Sequence, residues 1–175
     1  MIPVARVAEP PDFHEKVRRP GHRWLLRHPH GERPRDLWSP FRAKLAEGFA
    51  NRCGYTAMWE PTGTVDHFHS LQRDRTLAYE WSNYRYASQW INSSKRAAEV
   101  LDPHDVGEDW FEVQLPSLQL LMTQKVPPQW RPLVQATLRR LPLVHDERIL
   151  RQRRAWFSEY QAGRLSLEGL RRMAP

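Results

Sequence analysis

The sequence contains only one cysteine, Cys53, among its 175 residues. A single thiol cannot close a disulfide within the chain, which is typical of proteins that work in a reducing compartment. No stretch approaches the roughly 18 continuous apolar residues of a membrane-spanning helix, and residues 1–10 lack the basic-then-apolar order of a signal peptide. We therefore expect a cytoplasmic protein with no membrane segment.

Several widespread catalytic motifs are missing as well. The chain has no glycine-rich phosphate loop, no dinucleotide-binding fingerprint, no Ser-His-Asp order and no internal repeat. It does have eight tryptophans and 40% apolar residues, which excludes a chain that is disordered throughout. At this length we expect one domain, or a small core with appendages.

Positive charge is concentrated in the two flanks of the chain. The net charge is +7 and the pI is about 10.1, as expected of a protein with a polyanionic partner. Residues 1–50 contain ten Lys/Arg and six Asp/Glu, and residues 108–175 contain eleven Lys/Arg and seven Asp/Glu. Residues 51–107 contain six Lys/Arg and seven Asp/Glu. This predicts a basic N-terminal arm and helix, a nearly neutral core and a basic, mainly helical C-terminal extension. Flanks that grip a phosphate backbone are one interpretation, and a solvated arginine-rich surface is the other.

Three short segments of the core carry the residue types of a phosphodiester-hydrolysing centre. They are VDHF at 65–68, WSN at 81–83 and NSSK at 92–95. Attack of water on a phosphodiester requires a base for the water and a cation that stabilises charge at phosphorus and on the leaving oxygen. His67 is the candidate base, because an imidazole with an ordinary pKa of about 6.5 is mostly neutral at physiological pH.

The candidate cation ligands are Asp66 and Asn92, whose side-chain oxygens suit Mg²⁺. One carboxylate and one amide form a sparse ligand set, which phosphate oxygens of the substrate would complete. Asn83 is the candidate brace, whose amide would hold the segment bearing His67 by hydrogen bonds. Because neighbouring strand residues point to opposite faces, Asp66 and His67 can serve one site only at a strand end or a bend.

Local patterns predict the elements that carry these residues. Residues 52–70 predict a hairpin with arms at 55–59 and 64–68, and 86–101 predict a helix on which Asn92 and Lys95 share a face. Outside the core, Ser39 and Pro40 are expected to open a helix that ends near Asn51. The other predicted elements are a short helix at 13–18, a strand at 110–115 and helices at 127–141, 146–161 and 166–172.

At these residues the sequence resembles the HNH endonuclease family, in particular a compact bacterial branch. The shared motifs are VDHF, YEW-x-NYR and N-x-x-K. Further segments resemble the family in the same order along the chain: FHEKVRRPGHRW at 13–24, RCGY at 52–55, LDP at 101–103, WF at 110–111 and RLPL at 140–143. The resemblance covers most of residues 11–173.

The resemblance implies an α+β fold with a ββα-metal (HNH) core and flanking helices, and a DNA endonuclease that uses Mg²⁺ or Mn²⁺. It assigns metal ligation to Asp66 and Asn92, the general base to His67 and loop bracing to Asn83. Lys95 matches the helix lysine of the family, which implies a contact to the scissile or an adjacent phosphate. The implied setting is defence against foreign DNA, alone or as the nuclease subunit of a larger system.

Two departures from the family pattern concern zinc and the loop after His67. Relatives commonly carry a zinc knuckle of two Cys-x-x-Cys pairs, and His69-Ser70-Leu71 stands where relatives often have Pro-Lys-Ser. A structural zinc needs four ligands, and only one thiolate is left. We expect no structural zinc, with packing by Tyr55, Trp59, Trp90 and Ile91 in its place. The four knuckle positions correspond to Cys53, Thr56, Ser88 and Ile91.

A metal-dependent DNA endonuclease is thus the leading hypothesis. The alternative is a catalytically degenerate HNH scaffold that binds nucleic acid or a protein partner, and an RNA substrate also stays open. Basic residues are the candidate nucleic-acid contacts in either case. On the helix at 146–161 they are Arg148, Arg151 and Arg154, and around the core they are Arg73, Arg75, Arg85, Lys95 and Arg96.

Overall fold

A computed structural model describes residues 1–29 and 31–175 as a mixed α+β protein, the expected fold class. The described strands form two small antiparallel sheets. The strands are β1 (Thr64–His67), β2 (Tyr84–Ala87), β3 (Phe111–Gln114) and β4 (Gln119–Met122). The α-helices are α1 (Arg19–Arg27), α2 (Arg42–Gly48), α3 (Gln89–Lys95), α4 (Arg131–Arg140), α5 (Glu147–Gln161) and α6 (Leu167–Met173). In the described ranges no helix is long and apolar enough to cross a membrane.

The sheet that carries the candidate site pairs β1 with β2 in antiparallel fashion. Its register places Asp66 opposite Arg85 and His67 opposite Tyr84. The predicted hairpin between 55–59 and 64–68 is therefore wrong. Residues 53–58 instead form a tight turn, in which the Cys53 amide donates to the Met58 carbonyl and Ala57 has a φ of 62°. A left-handed residue interrupts extended backbone, so this segment cannot act as a strand partner.

The β1–β2 sheet separates two hydrophobic clusters. Val65, Tyr84 and Tyr86 belong to one, together with Phe13 and Leu45 from the N-terminal flank. The other contains side chains from the 53–58 turn, from α3 and from the C-terminal flank, including Cys53, Tyr55, Ala87, Ile91, Val134 and Ile149. Both basic flanks thus share buried apolar surface with the core, which is the main favourable term that holds them in place.

Helix ends differ from their predicted positions for local reasons. The N-terminal helix is longer than predicted, because a π-helical turn at His14–Arg18 continues into α1. Helix α3 is shorter than the predicted 86–101, since residues 86–87 are paired in β2 and Arg96, with a φ of 53°, ends the helix. Ser39 is not an N-cap: its amide donates to Asp36 Oδ1 at 3.0 Å, and a 3₁₀ turn precedes α2.

The C-terminal flank follows its sequence signals closely. β3 lies within the predicted 110–115 and is paired with β4, and α4 lies within the predicted 127–141. Asp146 and Ser166 cap α5 and α6 by accepting the amides of Arg148 and Gly169. A capping side chain satisfies one of the unpaired amides at a helix start, so these two helix beginnings were visible in the sequence.

Candidate functional site

Asp66 lies in a buried ion pair with Lys95 on the α3 side of the sheet. Lys95 Nζ is 3.0 Å from Asp66 Oδ1, and the two side chains are 1% and 3% exposed. The same ammonium donates to the backbone carbonyls of His67 at 3.0 Å and Phe68 at 2.8 Å. An ammonium has three donors, and each has an acceptor here. Lys95 therefore has no free N–H donor for the phosphate contact that was expected of it.

Tyr55 closes the other side of the Asp66 carboxylate. Its hydroxyl donates to Asp66 Oδ2 at 2.5 Å. Burial, and then the negative charge of Asp66, raise the pKa of Tyr55 well above its ordinary value, so the phenol stays a neutral donor. Nothing in the sequence pointed to this contact, because Tyr55 was expected only to pack in the core.

His67 lies on the opposite face of the sheet. Its ring packs edge-on against Trp38 and Tyr84, with centroids 4.6 Å and 5.1 Å away. His67 Nε2 is 2.9 Å from the Ala78 carbonyl oxygen. A neutral imidazole must donate to that carbonyl, which leaves Nδ1 as its proton acceptor. Burial lowers the pKa of His67 below 6.5, so the ring is neutral at physiological pH.

Strand geometry keeps the Asp66 carboxylate and the His67 ring apart. β1 is regular through His67, so the two side chains alternate across the sheet. The strand end or bend that a shared site requires is not present between them. Asn92 lies on the Asp66 side, where its Nδ2 is 3.4 Å from the Val65 carbonyl. Asn92 and Lys95 both face β1, which confirms the predicted shared face of the helix.

The residues around Asp66 do not fit a divalent metal ion in this arrangement. Both carboxylate oxygens already accept hydrogen bonds, and a positive ammonium lies 3.0 Å from Oδ1. Mg²⁺ requires near-octahedral oxygen ligation, and a second cation cannot occupy the same position. In residues 1–29 and 31–175 no group of three or more His, Cys, Asp or Glu could hold a metal. Asp66 and Asn92 alone therefore form no ligand set here.

Asn83 makes the hydrogen bonds expected of a loop brace. Its Oδ1 accepts the His69 amide at 2.7 Å, and its Nδ2 donates to the carbonyls of His69 at 3.1 Å and Leu77 at 3.2 Å. The side chain is buried between the two ends of the loop that joins β1 to β2. Asn83 thus fixes the segment that directly follows His67.

The four positions that correspond to a zinc knuckle meet in the core. Cys53, Thr56, Ser88 and Ile91 are all buried. The Ser88 hydroxyl donates to Cys53 Sγ at 3.6 Å, which joins the first pair of positions to the second. Ile91 belongs to the hydrophobic cluster that also contains Tyr55, and Trp90 packs against it. Apolar packing and one weak hydrogen bond hold these positions together.

Besides Lys95, three of the predicted nucleic-acid contacts are engaged within the protein: Arg75, Arg85 and Arg148, the last by donating from Nε and Nη2 to Asp146 at 2.9 and 2.8 Å. Arg85 is buried, and its Nε donates to Asp102 Oδ1 at 2.6 Å while Nη1 donates to backbone carbonyls. A phosphate contact by Arg85 is therefore contradicted, because its donors are used internally. Arg75 donates to the carbonyls of His28 and Glu32 and so ties the loop to the end of α1. Arg73 is exposed, 3.4 Å from Glu99.

A basic groove, here called the α3 groove, runs along the outer face of α3. Its volume is about 850 Å³, and its lining, among the residues that the structure describes, contains no acidic side chain, although Asp146 next to it forms an ion pair with Arg148. The Arg148 guanidinium lies 4.2 Å from the ring centre of Trp90. Sequence reasoning missed Trp90 and Arg140 as parts of this surface, since α3 and α4 meet only in the fold. The lining residues are Gln89, Trp90, Ser93, Ser94, Arg96, Arg140, Pro142 and Arg148.

The other arginines of the predicted α5 stripe, Arg151 and Arg154, are exposed. Arg153 beside them is buried and donates to the carbonyls of Leu118 and Leu143.

Comparisons of the chain with protein-family models, curated proteins and solved structures found no match. Function must therefore be inferred from the residues and their geometry.

Proposed function

We propose that this protein is an endonuclease that hydrolyses phosphodiester bonds in DNA, with an HNH-like ββα unit formed by β1, β2 and α3. One observation carries the proposal: a braced loop joins two antiparallel strands, and His67 ends the first strand as a neutral imidazole with a fixed tautomer. That arrangement supplies a positioned general base. The order of the elements supports the family resemblance of the motifs.

The chemistry that His67 can perform follows from its hydrogen bond to Ala78. With Nε2 donating to the carbonyl, Nδ1 takes the proton of the attacking water. The Ala78 carbonyl then stabilises the imidazolium that forms, because its oxygen carries partial negative charge. A positioned base contributes a factor of roughly 10² to 10⁴ to the rate. The lowered pKa of His67 keeps the base in its active form near neutral pH.

The α3 groove is the surface on which this proposal places the nucleic-acid backbone. Arg96, Arg140 and Arg148 are called the groove arginines below; they come from three parts of the chain and meet at this groove, where Arg148 is also paired with Asp146. Guanidinium groups bind phosphates through paired donors. Helix α3 also carries Asn92 on its face towards β1. The groove lies on the α3 side of the sheet and the His67 ring on the other, so the groove would hold a flanking part of the DNA backbone and not the phosphate that His67 acts on.

The decisive experiment is cleavage of plasmid DNA by the wild type and His67→Ala. The resemblance implies Mg²⁺ or Mn²⁺, so each ion and EDTA are separate arms. We expect a loss of on the order of a hundredfold or more in His67→Ala, with unchanged DNA binding in EDTA. His69→Ala is the matched control, because His69 is the exposed neighbour on the same loop. Full activity of His67→Ala, or loss only in His69→Ala, would contradict the assignment.

A second candidate function is a catalytically silent scaffold that binds nucleic acid or a protein partner. The pairing of Asp66 with Lys95 and Tyr55 favours it, since that pairing removes the carboxylate from solvent. DNA binding without cleavage in any cation would support this candidate, and cleavage of RNA alone would change the substrate class. The proposal includes a cytoplasmic location, which the single cysteine supports, and a role in defence against foreign DNA, which the family resemblance implies.

A further inference from the structure

We propose that the protein binds a monocarboxylate with an apolar tail in a cavity that borders Arg153. The cavity has a volume of about 570 Å³, which is within the range of small-molecule sites. Residues of β3, β4, α5 and α6 contribute to its walls. The lining that the structure describes includes no residue of β1, β2 or α3. The proposal therefore does not depend on the nuclease function.

Arg153 on α5 is a buried cation without an acidic partner among the described residues. Only 5% of the residue is exposed. Its Nη1 donates to the carbonyls of Leu118 at 2.7 Å and Leu143 at 3.4 Å. Burial lowers the pKa of Arg153 to about 10, so the guanidinium is charged at neutral pH, and no described carboxylate raises that pKa again. Buried charges in proteins are almost always paired, so this guanidinium is suited to bind an anion.

The remaining edge of the Arg153 guanidinium has the geometry that a carboxylate requires. Its Nε and Nη2 make no hydrogen bond to the described residues, and together they carry three N–H groups. These two nitrogens form a planar fork that can donate to both oxygens of one carboxylate. Arg153 is also one of the residues that line the cavity. A carboxylate inside the cavity therefore has a two-point partner in its wall.

The other side chains of the cavity wall select the rest of the ligand. Leu118, Leu120, Phe157 and Leu170 favour an alkyl or aromatic tail, because they remove it from water. Three acidic residues also belong to the lining, but their side chains are exposed to solvent; they are Glu108, Asp109 and Glu112. These carboxylates repel a second negative charge on the ligand. A single carboxylate bound at Arg153 is therefore favoured over a dicarboxylate or a phosphate.

The test is isothermal titration calorimetry of the wild-type protein, freed of bound lipid, with octanoate and with octylamine. Octanoate should bind at one site per chain. Octylamine, which has the same tail, should bind at least about tenfold more weakly, because only the carboxylate pairs with Arg153. From butanoate to octanoate the affinity should rise by roughly fourfold per methylene, since each one is removed from water. Equal affinity for octanoate and octylamine, or no saturable binding of octanoate, would overturn the proposal.

Two variants locate the bound octanoate. Arg153→Lys keeps the positive charge but removes the fork, so octanoate should bind about tenfold more weakly. Val113→Trp adds bulk to the β3 wall of the cavity and should also weaken binding. Arg154→Lys is the matched control, because Arg154 is the exposed neighbour on α5 and its replacement should leave the affinity unchanged.

Thermal unfolding shows whether each variant is folded, and octanoate should raise the melting temperature of the wild type, because it binds the folded form. The comparison of octanoate with octylamine uses only the wild type, so it decides the question even if Arg153→Lys does not fold. If folded Arg153→Lys and Val113→Trp both bind octanoate as tightly as the wild type, the proposal is wrong.

Discussion

Removal of the Lys95 ammonium should be among the most destabilising single changes in this chain. Lys95→Met leaves the Asp66 carboxylate buried with only the Tyr55 hydroxyl, and leaves two backbone carbonyls unpaired. Breaking a buried ion pair by removing one partner costs about 3–5 kcal/mol. Domains of this kind unfold with a total of about 5–15 kcal/mol. The change therefore removes a large share of the free energy of unfolding.

Urea denaturation in EDTA, followed by tryptophan fluorescence, measures this cost, since the chain has eight tryptophans. Lys95→Met with Asp66→Leu should be more stable than Lys95→Met alone, because no uncompensated charge is then buried. The double-mutant cycle isolates the coupling between the two side chains. Lys125→Met, at an exposed pair, is the control. If Lys95→Met costs no more than Lys125→Met, the buried pair is not formed in solution.

Three further predictions concern the base, the brace and the groove. Because burial lowers the pKa of His67, the acid limb of the cleavage rate should have its midpoint below pH 6.5, and a pH-rate profile checks this; a midpoint above 6.5 contradicts it. Asn83→Ala should cost about 1–3 kcal/mol in urea denaturation, because it leaves buried loop groups unpaired. Replacing the groove arginines by Ala should flatten the log-log salt dependence of DNA binding by up to about three. The same change at exposed Arg171 and Arg172 should flatten it less, and equal slopes would argue against the groove.

Elements defined by local chemistry could be predicted from the sequence. Asp146 and Ser166 begin α5 and α6, because a short polar side chain there accepts an amide of the first helical turn. Phe41, Leu45 and Phe49 recur every four residues, which is the spacing of one helix face, and all three are buried around α2. These signals lie within a few residues of the structure they specify.

Elements that depend on distant partners could not be predicted in the same way. The sequence predicted a hairpin with arms at 55–59 and 64–68, but β1 pairs with β2 across residues 68–83, a loop that Asn83 holds together. Strand pairing is decided by which faces can be buried. Here Val65 and Tyr86 bury one face against the N-terminal flank. That flank lies far away in the sequence, so the local pattern favoured the wrong partner.

The candidate site shows the same limit at the level of single side chains. Residue types and spacing identified Asp66, Asn92 and Lys95 as neighbours, and in the fold all three lie where α3 meets β1. The sequence could not show that the carbonyls of His67 and Phe68 complete an acceptor set around Lys95. With these acceptors in place, a buried Lys95 ammonium is favoured, because all its donors are satisfied and the Asp66 carboxylate is not left unpaired. Backbone geometry, which spacing does not encode, thus decides whether the lysine faces phosphate or carboxylate.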